Sequence, residues 1–163
     1  MTKDITIIGG SATGFFTAYL LARKGCKVRV YEAEEDIQPS PRTLIVTSYM
    51  SDLLGSLCEN TVINKIRRFE LFADGRAATI SLTRPDLVIE RSRVIRRLAA
   101  QAEASGAKVL TGHRLQSLKP NGKELGFTVS RNGDRGLVEG LANILVGADG
   151  AFSKVAQDAR WPK

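Results

Sequence analysis

Cysteine and histidine are nearly missing from this sequence: Cys26 and Cys58 are its only cysteines and His113 its only histidine. Two distant cysteines make neither a disulfide framework nor a zinc site, and such sparing use fits a reducing cytoplasm. His113 has no cysteine beside it and no acid at partner spacing. Catalytic triads and metal centres therefore lack support, and it reads as a polar strand residue. Charge of one sign does not gather either. Lys and Arg outnumber Asp and Glu, 24 to 17, yet they are scattered from Arg23 to Lys163. With no nucleic-acid motif beside them, a nucleic-acid partner is not expected. The chain also lacks a continuous membrane-length apolar run. Ile5 to Ala22 carries no charge, but Gly9, Gly10 and Gly14 with Ser11 and Thr13 break it, and no small-residue cleavage site follows. It is neither a transmembrane segment nor a signal peptide. Repeats and low-complexity segments are absent as well.

What is present suits one globular domain over residues 1–163, with 43% hydrophobic and 25% charged residues. Ile5 to Ile8 is a short β-rich run suited to a buried parallel strand. Thr13 to Lys24 carries Phe15, Phe16, Tyr19 and Leu20 at helical spacing, with Gly25 placed as a C-terminal stop. Val28 to Tyr31 forms a second strand ending at Glu32, which completes a right-handed βαβ unit. Pro39 and Pro41 enforce a loop, and Ser48 to Leu57 reads as a short helix. Phe69–Phe72 and Ala77–Leu82 flank Asp74-Gly75, a hairpin turn dipeptide. After Leu87–Glu90, the residues Val94, Ile95, Leu98, Ala99 and Ala102 share a helical face that Gly106 ends, and Val109-Leu110 is an inner strand. Leu115–Leu118, Gly126–Val129 and Gly136–Glu139, separated by Pro120-Asn121-Gly122 and Asn132-Gly133-Asp134, read as an antiparallel meander. Ile144–Val146 returns to the buried-strand pattern, and a helix is expected over Ser153–Arg160.

Gly9-Gly10-Ser11-Ala12-Thr13-Gly14 lies between a strand and a helix, where a glycine turn lets backbone N–H groups approach a pyrophosphate at the positive helix end. Ser11 stands where the usual G-x-G-x-x-G fingerprint has its second glycine. Its Cβ sits at the closest backbone approach to phosphate, so the site either tolerates the serine or uses its hydroxyl as a phosphate donor. Glu32, with Ala33 after it, follows the last fingerprint glycine by roughly the 20 residues at which an acid meets the adenosine ribose. Its carboxylate would repel a 2′-phosphate, which favours FAD or NAD over NADP. Taken alone, an acid at a strand end is more often just a solvated surface charge.

With Arg42, the run Val88-Ile89-Glu90-Arg91-Ser92-Arg93-Val94 continuing to Leu98, and the box Gly147-Ala148-Asp149-Gly150, these motifs resemble the glutathione-reductase-type FAD fold over nearly the whole chain. Within it they are most similar to the FAD-dependent aromatic hydroxylases (monooxygenases) and the geranylgeranyl reductase family. The resemblance implies an α/β, Rossmann-like FAD-binding fold with a central parallel sheet and an antiparallel β-meander. It also implies a flavoprotein oxidoreductase whose flavin is reduced by NADH or NADPH and acts on a small-molecule substrate. Asp149, between Gly147 and Gly150, is implied to contact FAD and the nicotinamide donor, Arg91 to approach the flavin, and Arg42 to lie near the phosphates or ribityl chain. Arginine's fixed fork of donors suits either task, and so does a surface ion pair. Asp149 could equally cap a helix. The group's later Gly-Asp segment has no counterpart after Ala156. The substrate domain is thus expected to be absent from this sequence, which would be the N-terminal part of a longer two-domain flavoprotein. The alternative is a non-catalytic nucleotide-binding module that keeps only the adenylate half-site. Oligomeric state is left open.

Overall fold

The structure is a computed structural model that describes residues 4–133 and 136–161. In chain order its elements are β1 (Asp4–Ile8), α1 (Ala12–Arg23), β2 (Lys27–Tyr31), β3 (Thr43–Val46), α2 (Ser48–Leu54), β4 (Val62–Ala73), β5 (Arg76–Glu90), α3 (Arg91–Ala104), β6 (Lys108–Leu110), β7 (His113–Asn121), β8 (Glu124–Arg131), β9 (Leu137–Ala142), β10 (Ile144–Gly147) and α4 (Lys154–Asp158). They fall into two compact units. One is built from the chain up to Gln38 and again from Ile95, the other from Pro39 to Val94.

The first unit is built on a parallel sheet of order β10-β1-β2-β6. Ile5 pairs with Val28 on one side and Ile144 on the other, and Tyr31 with Leu110. Such strands carry apolar side chains on both faces because both are covered. Ile5, Ile7, Val28 and Val30 are buried, as are Phe15, Ala18 and Ala22 on α1. Ile8 and Tyr31 join Leu115, Leu118, Phe127, Val129, Ala142 and Val155 in a second core cluster against the meander. The Tyr31 and Phe127 rings meet edge to face at 5.3 Å. The expected parallel sheet and meander are both present, the meander in order β7-β8-β9.

Several local expectations need correction. β10 is an edge strand with Ile144 exposed, so its apolar run does not mark burial on both sides. Pro120 and Asn121 belong to β7, paired with Leu125 and Glu124, and the turn falls at Gly122. Proline is tolerated there because β7 is an edge strand, with one row of N–H groups facing away from β8. Asp134 of the second predicted turn lies outside the described residues. The predicted helix over Ser153–Arg160 shortens to α4, after which Arg160 takes φ +56°.

The second unit is a three-stranded antiparallel sheet of order β3-β5-β4. The Asp74-Gly75 hairpin is present, with φ of 50° and 73° at the two positions. Its arms, however, run far beyond the predicted strands. β5 changes register between Ser81 and Asp86, so Pro85 falls in the interruption and removes no ladder bond. Only then does β5 take a partner on each side, with Leu87 to Glu90 pairing β3, a strand the sequence pattern did not single out. α2 ends at Leu54 and continues as a 3-10 turn over Gly55–Cys58, leaving Leu54, Leu57 and Cys58 buried.

On α3, the predicted stripe of Val94, Ile95, Leu98, Ala99 and Ala102 is the buried one. No helix among the described residues is long and apolar enough to cross a membrane.

Candidate functional site

The turn between β1 and α1 is shaped by contacts that only glycine permits. Gly9 sits at φ +104°, and a Cβ there would overlap the Ala148 carbonyl. On Gly14 a Cβ would run into the Gly9 carbonyl oxygen, with the Gly9 carbonyl carbon at 3.1 Å and the Ala148 Cβ at 3.3 Å. Gly9 therefore lets the turn cross beside the 147–150 loop, and Gly14 lets α1 begin directly under β1. The helix opens with no acidic residue in its first turn. The Gly14 N–H is capped by the Ser11 hydroxyl at 3.3 Å. The N–H groups of Ala12 and Thr13 are helix-terminal donors without an acceptor inside α1, aligned with its positive dipole end.

Ser11 does more than fill the second fingerprint position. As N-cap it accepts from Gly14, and its own O–H donates to the Ala148 carbonyl at 3.3 Å. A hydroxyl has one proton to give. In this arrangement the proton goes to the neighbouring loop.

Glu32, at the end of β2, turns its carboxylate back onto the turn. One oxygen accepts from the Gly10 N–H, the other from the Glu34 N–H at 2.8 Å. Its backbone continues the sheet, with the Glu32 N–H donating to Leu110 at 2.9 Å and the His113 N–H donating to the Glu32 carbonyl at 2.7 Å. A carboxylate offers about four acceptor positions, so two remain for hydroxyls brought in from outside. Ala33, half-buried, receives on its carbonyl the Asn132 side-chain amide at 3.1 Å.

The 147–150 loop leaves β10 beside this turn. The Ala148 N–H donates to Ile8 at 2.7 Å, the last rung of the β1–β10 ladder. Asp149 then spends both carboxylate oxygens on α4: one accepts the Ser153 hydroxyl at 2.6 Å, the other the N–H groups of Lys154 at 2.6 Å and Val155 at 3.1 Å. Asp149 is thus a helix cap. Gly150 reverses the chain at φ +84°. At the far end of α4, Asp158 accepts the Leu118 N–H at 2.9 Å and Lys154 Nζ at 2.5 Å. These bonds, Lys154 first, hold its carboxyl below the usual carboxylate range against the opposing effect of burial.

Arg42 and Arg91 belong to the other unit and are neighbours there, the Arg91 N–H donating to the Arg42 carbonyl at 2.8 Å. Arg42 is exposed and Arg91 half-buried at the start of α3. Beside them is a group the sequence reading passed over. Glu90 caps α3 by accepting the Ser92 N–H at 3.0 Å, the Ser92 hydroxyl at 2.7 Å and the Arg93 N–H at 2.9 Å. The Ser92 hydroxyl is the largest of the influences that lower its pKa. An acid two residues before a serine, at the head of an amphipathic stripe, was the available signal. His113 keeps to its predicted strand, with Nδ1 2.6 Å from the Thr111 carbonyl oxygen, and Cys58 is buried. No group of three or more metal-binding side chains occurs among the described residues.

Residues 2–162 match the family described as FAD binding domain. No curated protein matches. Among solved structures, p-nitrophenol 4-monooxygenase PnpA from Pseudomonas putida aligns at TM-score 0.83 and 17% identity, over 97% of this chain and 43% of its own. The anhydrotetracycline hydroxylase OxyS from Streptomyces rimosus aligns at 0.80 and 24%, over 96% and 33%. A geranylgeranyl bacteriochlorophyll reductase-like protein from Thermoplasma acidophilum aligns at 0.76 and 20%, over 91% and 39%. At these identities the likeness is one of fold. The chain spans between 33% and 43% of the length of these structures.

Proposed function

From the premise that this chain belongs to the FAD binding domain family, we propose that it holds FAD for a two-domain flavoprotein oxidoreductase, a monooxygenase or a geranylgeranyl-reductase-like enzyme, reduced by NADH or NADPH and acting on a small molecule in the cytoplasm. The observation that carries the reading is the junction of the Gly9–Gly14 turn with Glu32. Free helix-terminal N–H groups lie on one side of the Gly10 amide and a carboxylate with acceptor capacity to spare on the other. This suits the adenylate end of a dinucleotide: pyrophosphate on Ala12 and Thr13, ribose hydroxyls on Glu32, with Ala33 beside it.

The remaining residues have different tasks. Gly147, Asp149 and Gly150 form the loop beside the turn. Asp149, with three of its roughly four acceptor positions engaged at the start of α4, acts chiefly by fixing that loop's course. Arg91 and Arg42, adjacent through their backbones, carry guanidinium groups of a kind suited to phosphate or to an electron-rich ring. Bound FAD supplies the redox chemistry, and the chain's own groups bind, orient and exclude water.

One observation favours a second reading, a nucleotide-binding module without redox chemistry: the groups with spare hydrogen-bonding capacity described above cluster at the adenylate end. Calorimetric titration with ADP and FAD tests the proposal. Binding of both, weakened by Glu32→Ala, supports it. Binding of neither to the folded chain refutes it, and binding of ADP with no gain for FAD favours the module.

A further inference from the structure

We propose that Ser11 is a positioning residue which clamps the 147–150 loop to the nucleotide turn, so that occupation of the turn is transmitted to α4. This rests on the reading of that turn as a pyrophosphate site.

The β1–β10 ladder ends where the Ala148 N–H donates to Ile8 at 2.7 Å. The next group along the loop, the Ala148 carbonyl, points at Ser11 instead of at a strand partner and accepts its hydroxyl proton at 3.3 Å. The same oxygen of Ser11 accepts from the Gly14 N–H at 3.3 Å. One hydroxyl thus spans the first turn of α1 and the loop that carries Asp149. Asp149 in turn holds the Lys154 and Val155 N–H groups at 2.6 and 3.1 Å. One hydrogen-bonded connection from the turn to α4 runs through Ser11, Ala148 and Asp149, each step a hydrogen bond or one peptide. A glycine at position 11 would leave the Ala148 carbonyl without this donor. The serine therefore exchanges a backbone free of Cβ for a tie between two segments far apart in sequence. Both bonds of the hydroxyl are long, so the tie is weak alone. An anion that orders the Ala12 and Thr13 N–H groups would strengthen it by fixing the Ser11 backbone.

Amide hydrogen exchange on the full 163-residue chain, with ADP as probe, tests this. In the native chain ADP should slow exchange at Ala12 and Thr13 and also at Ala148, Lys154 and Val155. In Ser11→Ala, ADP should still protect Ala12 and Thr13, while protection at Lys154 and Val155 falls about fivefold, the scale of one neutral hydrogen bond. Ser11→Thr, which keeps a hydroxyl and a favourable N-cap, should restore it. Equal protection of Lys154 and Val155 in Ser11→Ala would overturn the clamp, as would failure of Ser11→Thr to restore it. If ADP leaves Ala12 and Thr13 unprotected in the native chain, the nucleotide site itself is refuted, a different result.

Discussion

Gly14→Ala sets two effects of opposite sign against each other at one atom. Gly14 lies inside α1, where alanine is the better helix former by about 1 kcal/mol, so propensity alone predicts a more stable protein. The structure predicts the reverse. The added methyl would overlap the Gly9 carbonyl oxygen and press on the Ala148 Cβ at 3.3 Å. Neither neighbour is the loose end of a side chain: the first is backbone at the end of β1, the second is fixed by the Ala148 bond to Ile8. Overpacking against such groups costs about 1–3 kcal/mol and more where nothing can yield. The upper part of that range applies, and after the propensity gain a net loss of about 2 kcal/mol remains. For a chain of this size that lowers the melting temperature by about 4–8 °C. Thermal unfolding followed by circular dichroism, with urea titration for the free energy, measures it. ADP binding should weaken in the same variant because α1 must shift from the turn. An unchanged or raised melting temperature would refute the argument that Gly14 is required for the close packing of α1 on β1.

The meander offers a paired comparison: Gly140→Ala drives a methyl into the Phe127 ring and should destabilise by about 1–3 kcal/mol, whereas Gly126→Ala meets only Lys119 and Asn121 atoms beyond 3.5 Å and should be neutral or stabilising. Equal urea midpoints for the two would contradict this. Glu32→Ala removes the acceptor of the Gly10 and Glu34 amides and should weaken ADP binding by about 1–3 kcal/mol, the scale of a charged hydrogen-bond partner. Calorimetry on the folded variant decides it, and an unchanged affinity takes Glu32 out of the site. Asp158 has its folded pKa depressed, so its contribution to stability is present above the unfolded carboxylate pKa and is lost as pH falls through the lower folded value. The stability difference between the native chain and Asp158→Asn should therefore be full near neutral pH and shrink below about pH 4. A difference that stays constant with pH would exclude the Asp158 charge as its source.

The parts of this molecule legible in its sequence are those whose signals are local. The fingerprint glycines, the acid after β2, the Asp74-Gly75 hairpin and the stripe on α3 each declare themselves within a few residues, because a positive φ or a helical period is a property of the segment alone. β3 did not, since a threonine and three apolar residues gain strand character only from β5. The extent of β4 and β5 was hidden for the same reason, and by Pro85, which looks like a stop until the register change around it is seen. Pro120 misled in the other direction: a turn residue by composition, it fits an edge strand. The roles of Ser11 and Asp149 depend on which backbone groups arrive beside them, and no spacing within either motif records that Ala148 meets Ser11.

The parallel sheet joins strands that are remote in the chain: Ile5 pairs with Ile144, and Tyr31 with Leu110. Between β2 and β6 lies the whole unit from Pro39 to Val94. The hairpins β4–β5 and β7–β8–β9 close short loops, while the sheet must close long ones, whose entropic cost is met before any contact rewards it. During synthesis, a ribosome that has delivered residues up to Ala142 has made the glycine turn and the helix behind it. The strand on which Ala148 arrives beside that turn has not yet left the tunnel. The packing of the 147–150 loop against the turn therefore waits until β10 can pair with β1, by which point every fingerprint residue has long been made.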